Sequence, residues 1–335
     1  MKVKILFILI ILSILAFLPL RLSAFYIDLL SLALIYGIFA MSLDILLGFS
    51  GLPSLGHAAF FGISAYAVGL SNVNKIFNEG GSQFIMELLV ALGCTAALAI
   101  IFGLLILRSR GIYFLMLTLA LSMLLWGIAY KWYGFTGGSD GLSGIRRPAL
   151  SAVGLNLSRP IGYYYFVLIF FIISVACMYY ITIKSSLGRV LKGIKVNEIK
   201  MQTIGYNVLL YLNIGHFFSA LFAGLSGYLY VYLNNFVSPT NLHIMNSAQV
   251  LLMTILGGAG TLFGPLIGVI IITFLHDFIT NYTTHWSLIL GIIYVLVVIF
   301  IPDGIYNLLN FQNIYQKTKS IIKLNELVIK KSNRS

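Results

Sequence analysis

Residues 47–62 read LGFSGLPSLGHAAFFG. A long apolar run precedes this stretch and a shorter one follows it. Between them stand Gly48, Gly51, Pro53 and Gly56, with Ser50, Ser54 and His57 interspersed. Proline lacks a backbone donor and glycine tolerates non-helical angles, so one helix stops here and another starts. The stretch separates two elements, 27–48 and 56–71.

The surroundings make that break consequential. The chain has 335 residues, 60% hydrophobic and 9% charged, with mean hydropathy +0.99. Soluble domains carry about 25% charge, and a membrane-spanning helix needs about 20 apolar residues. The fold class is therefore an all-α polytopic membrane protein. A β-barrel would show short alternating segments instead. Expected spans are 5–20, 27–48, 56–71, 84–107, 112–132, 160–183 and 208–233, two short runs at 244–256 and 264–279, and a last span at 286–302. Residues 1–310 form one transmembrane domain and 311–335 a basic tail. The N-terminal run also has features of a signal peptide, with Leu22-Ser23-Ala24 as a poor cleavage site; a first span is preferred.

The net charge of +12 gathers in particular loops, so it marks topology and not nucleic acid. Loop 184–207 holds Lys184, Arg189, Lys192, Lys195 and Lys200 against Glu198. The tail after 310, Lys2, Lys4, Arg108 and Arg110 mark further cytoplasmic segments. Loop 133–159 must then lie outside, despite Arg146, Arg147 and Arg159. The count closes only if 27–48 and 56–71 are separate and 244–279 is either two crossings or a re-entrant hairpin. About ten spanning or half-spanning helices result, with both ends cytoplasmic. Cys94 and Cys177 read as buried free thiols. The five histidines show no HxxxH or HExxH spacing, so neither a metal nor a cofactor is expected.

A second break, LGGAG (256–260), shares the LGxxG spacing of LGFSG (47–51). Broken helices leave backbone donors and acceptors unpaired, which lipid does not tolerate. They serve either close packing or a polar path, where a half-helix N-terminus holds a carboxylate. Ser50, Ser54, His57, Gly257, Gly258 and Gly260 are the path candidates. Asp44, one turn before Gly48, joins them: it either handles solute or protons, or accepts hydrogen bonds from backbone freed by the break. Asp28, Glu87 and Asp277 fall near span ends, within reach of water. Gly215-Ser219-Ala223-Gly227 and Gly260-Gly264-Gly268 are small-residue ridges for helix packing.

In SLGRVLKGIKVNEIKMQTIGYNV (186–208), Leu187, Leu191, Ile194, Glu198 and Met201 fall on one helical stripe. Arg189, Lys192 and Lys195 lie off it. Gly205 ends the helix and Asn207 leads into the next span. An acid set into an apolar stripe suits docking on a cytosolic partner, or else the helix lies on anionic lipid. No phosphate-binding GxxxxGK[ST] loop occurs.

Several stretches together resemble the LivM-type permease subunit of ABC importers for branched-chain amino acids. They are LGFSGLPSLGHAAFFGISAY (47–66), RSRGIYFLMLTLA (108–120), TGGSDGLSGI (136–145), GRVLKGIKVNEIKMQTIGYNV (188–208), FSALFAGLSGYLY (218–230), FVSP (236–239) and LLMTILGGAGTLFGPLIGV (251–269). The resemblance implies a multi-pass protein of a prokaryotic cytoplasmic (inner) membrane that is not itself an enzyme. It implies a second, LivH-type permease subunit, two cytosolic ATPase subunits and an extracytoplasmic solute-binding protein. It makes 188–208 the coupling segment, with Arg189, Lys192, Lys195, Glu198 and Gly205 facing the ATPase. The family's usual Asn is Asp44 here, and its two small residues after the acid are Ile199 and Lys200. The Gly-rich segment 136–147 is a candidate surface for the binding protein, through Thr136, Gly137, Gly138, Ser139 and Asp140. Urea or amide transport, and a stand-alone secondary transporter using Asp44, are the alternatives.

Overall fold

A computed structural model describes residues 15, 17–76, 83–106, 108–148, 157–283, 285–300 and 304–306. The expected first span and the basic tail fall almost wholly outside these. Helix α1 (Ala24–Asp44) runs into a π-turn, Ile45–Ser50. Then follow α2 (His57–Val73), α3 (Gln83–Ile106) and α4 (Ile112–Lys131). Helix α5 (Pro160–Tyr179) leads to α6 (Ser186–Val196) and α7 (Glu198–Thr203). Helices α8 (Val208–Asn234), α9 (Ile244–Gly257), α10 (Gly264–Tyr282) and α11 (Trp286–Phe300) complete the order. Two short strands, β1 (Leu142–Ser143) and β2 (Phe236–Val237), pair antiparallel.

Six of these elements are long and apolar enough to cross a bilayer. They are α1 with its π-turn, α3, α4, α5 with its own π-turn, α8 and α10. Helices α2, α9 and α11 are shorter. The expectation of about ten spans thus resolves into six long helices and three short ones among the described residues.

Helix α1 is the hub. Ile35, Ile38, Phe39, Met41 and Leu43 are fully buried, α5, α8, α9 and α10 pack around it, and the Phe39 ring stacks on Phe61 of α2. The ridge on α8 performs as its spacing predicts. Gly227 faces the Phe61 backbone of α2, Gly215 faces Leu191 of α6, and Ser219 Oγ donates to the Ser42 carbonyl of α1 at 2.5 Å. Of the second ridge, Gly264 and Gly268 pack α10 against Gly257 and Met253 of α9. Gly260 instead lies in the turn between the two helices. Thus α9 and α10 form an antiparallel hairpin.

Two expectations from the sequence are corrected. Cys94 and Cys177 are exposed on helix surfaces, because a membrane helix is apolar all round and an apolar run does not say which side faces inward. Glu87 is fully buried. It accepts hydrogen bonds from the Tyr232 hydroxyl, from Asn72 Nδ2 at 3.2 Å and from Gln83 Nε2 at 3.0 Å.

Candidate functional site

The two breaks meet. Asp44, the last residue of α1, is fully buried. Its Oδ1 accepts the Gly260 N–H at 2.6 Å and its Oδ2 accepts the Leu262 N–H at 3.1 Å. Those donors are free of helical partners because Gly258, Gly260 and Leu262 take positive φ, at 114°, 87° and 63°. One carboxylate thereby ties together backbone more than 200 positions apart. Gly48 makes the approach possible: a Cβ there would fall on the Asp44 carboxylate and on the Gly260 backbone. Gly257 is pressed equally closely against the Gly264–Pro265 backbone.

The first break also reaches toward the basic loop. Its π-turn frees the Gly48 carbonyl, which accepts a hydrogen bond from Lys195 Nζ at 2.7 Å. That is the short distance of a charge-assisted bond. Lys192 Nζ stands 4.7 Å over the Phe49 ring, a cation–π contact. Helix α6 therefore rests on the broken end of α1 through two of the predicted lysines.

Of the other path candidates, Ser50 and Ser54 serve the backbone and His57 packs among side chains. Ser50 Oγ donates to the Ile45 carbonyl at 3.1 Å, and Ser54 Oγ accepts the Gly56 N–H at 3.3 Å. His57 Nε2 lies 2.9 Å from Ser42 Oγ, and its ring stacks on Phe39 at 5.5 Å. The start of α2 is already capped from outside: Ala58 N–H donates to Ser247 Oγ of α9 at 2.8 Å, and Leu55 N–H to Thr118 Oγ1 of α4 at 3.3 Å. The Ala58 donor is thus not available to a solute carboxylate. A groove of about 590 Å³ on α4, lined by Leu124, Gly127, Ile128, Lys131 and Trp132, touches none of these residues. Among the described residues no three of His, Cys, Asp or Glu converge to hold a metal.

Segment 186–208 differs from its expected form. It is two helices, not one. Asn197 is extended, with φ −160° and ψ 101°, and its Oδ1 caps α7 by accepting the Lys200 N–H at 2.9 Å. This N-cap chemistry stops α6 and starts α7. Gly205, at φ 99°, ends α7, and Asn207 caps α8 as predicted. The stripe of Leu191 and Ile194 faces inward and is buried, with Leu191 against Gly215 of α8. Glu198 is turned toward Arg110 in the turn between α3 and α4, with Arg110 Nε and Nη2 both donating to its carboxylate at 2.9–3.0 Å. Arg189 is exposed. The large apolar side chains that this segment presents outward are Val196, Ile199 and Ile204, exposed by 86%, 73% and 70%.

At the opposite end, Thr136 is buried, its hydroxyl 2.6 Å from the Ala129 carbonyl and 2.8 Å from that of Trp132. Gly137 and Gly138 turn the chain at φ 75° and 59°. Ser139 and Asp140 are exposed and hydrogen-bonded to each other at 3.0 Å. Of the five candidates here, these two offer side chains to a partner.

A family model described as "Branched-chain amino acid transport system / permease component" matches residues 25–300. The chain belongs to that family. The high-affinity branched-chain amino acid transport system permease protein LivM of Escherichia coli K12 is 27% identical over 309 residues, covering 86% of this chain and 71% of that protein. LivM of Salmonella typhimurium LT2 is 26% identical with the same coverage. No solved structure matches the chain. In this permease the match takes in both breaks, α6 and α7. In the sequence Arg110 reads only as a topology marker, Ile199 only as a departure from the family's small residue, and Val196 and Ile204 carry no signal. The apolar exposure of the last three follows from the Asn197 break, which an N-cap residue in mid-segment signals.

Proposed function

We propose that this permease, together with a second related subunit, encloses the path by which leucine, isoleucine and valine enter the cell, and that separate ATPase subunits drive it. The observation that carries the reading is the Lys195–Gly48 hydrogen bond. It joins the segment best placed to meet a cytosolic motor to the broken end of the central helix, and Asp44 extends that join to the second break. Val196, Ile199 and Ile204 give the motor an apolar grip. A helix pair pushed from the cytoplasm displaces both breaks together and switches the path from outward- to inward-facing. The geometry disfavours Asp44 as an ion-coupling carboxylate, since backbone donors hold both its oxygens.

Affinity purification of the tagged permease from its own cell membranes tests this. The ATPase subunits should co-purify, and leucine uptake into proteoliposomes holding the complex and its binding protein should require ATP. Leucine uptake by the lone chain, driven by an ion gradient, would overturn the reading.

A further inference from the structure

One polar cluster takes no part in this scheme. It lies at the end of the bundle opposite α6 and α7. There Arg147 Nε donates to the Tyr232 carbonyl at 2.7 Å, Nη2 to the Leu233 carbonyl at 3.3 Å and Nη1 to the Leu157 carbonyl at 3.1 Å. The guanidinium also stands 4.4 Å over the Tyr163 ring. Tyr232 and Leu233 close α8, where carbonyls lack helical partners and the helix dipole is negative. The planar fork of arginine suits this double capping.

The same loop grips the chain beyond α8. Leu142 pairs with Val237 and Ser143 with Phe236. Asn72 exchanges two hydrogen bonds with the Arg146 backbone, at 3.0 and 2.9 Å. The Tyr232 side chain is anchored too, through its hydroxyl on Glu87. Helix α8 then runs without interruption for 27 residues, about 40 Å at 1.5 Å per residue. On the way, Ser219 binds the Ser42 carbonyl of α1, and Gly215 receives Leu191 of α6.

We propose that Arg147 is a positioning residue that makes α8 a push-rod across the membrane. A solute-binding protein docking on loop 136–147 shifts the loop, Arg147 shifts the end of α8, and α8 moves α6. The proposal rests on the transport reading above, and names the route by which docking outside reaches the ATPase.

The test uses the whole reconstituted complex carrying Cys94→Ser and Cys177→Ser. Arg147→Gln should lower stimulation of ATP hydrolysis by liganded binding protein about tenfold, within the ordinary range of coupling between sites, and Arg147→Lys should recover part of it. Adding Leu142→Cys and Val237→Cys to Arg147→Gln and oxidising the pair ties the loop to the chain after α8 by another bond, so stimulation should return, and reduction should remove it again. Normal stimulation of the Arg147→Gln complex overturns the proposal, as does an oxidised, cross-linked Arg147→Gln complex stimulated no better than its reduced form. Absence of ATP-driven uptake by the unmodified complex would sink the transport reading itself, and the push-rod with it.

Discussion

Asp44 separates two ways of running a membrane transporter. A carboxylate that couples an ion must release it, whereas this one is held by two backbone N–H groups in a buried clasp. Asp44→Asn should therefore keep measurable leucine uptake, because one oxygen acceptor remains. It gives up one hydrogen bond to a charged group, about 1.5–3 kcal/mol, so the thermal midpoint of the purified complex should drop. Asp44→Leu should abolish assembly. Complete loss of uptake in a normally folded Asp44→Asn complex would point back to ion coupling. The depth of Asp44 and its nearness to a break were legible in the sequence. Its partners were not, because helical spacing reports neighbours within a few residues, and Gly260 lies 216 positions away.

At the scale of elements, α6 and α7 show how an amphipathic pattern is read correctly and assigned to the wrong side. The stripe through Leu191 and Ile194 exists, but periodicity says only that something covers it. Here the covering surface is α8 of the same chain, and Glu198 is turned toward Arg110. That pair is about one-third exposed at each side chain, where ion pairs add only about 0.2–1 kcal/mol. Its effect is orientation: it holds α7 against the turn between α3 and α4. Glu198→Lys should cut uptake while leaving the complex folded and ATP hydrolysis partly uncoupled. Combining it with Arg110→Glu restores the pair with reversed sign and should recover uptake. A double variant no better than the single would mean that Glu198 acts on the ATPase directly.

Over the whole molecule, the charge count and the structure agree on which segments share an end. Arg110 meets Glu198 at one end, and Asn72 meets Arg146 at the other. Arginines 146 and 147 stood out as misplaced topology signals. The structure gives Arg147 a different task, capping a helix, so it need not obey the loop-charge rule. In cells whose outer barrier has been removed, a membrane-impermeant maleimide should modify Ser139→Cys in a background lacking Cys94 and Cys177. Lys200→Cys should react only after permeabilisation. Labelling of both from outside would invert or break the topology. The long helices and the α8 ridge were legible because length and small-residue spacing are local properties. The central place of α1 was not, because almost every span here is apolar and hydropathy alone does not rank them by depth.

The clasp at Asp44 has a consequence for how the protein is made. Segments of a nascent chain leave the ribosome in order, and α1 is delivered to the membrane long before residues 260–262 exist. Until they arrive, its lower end carries an ionisable group with no donor to receive it, at a depth where that is costly. The end of α1 is therefore completed only when residues 260–262 have been inserted. A polypeptide cut short before Gly260 would carry the same lesion as one with a defective glycine there, and quality-control proteases would meet the same exposed flaw in both.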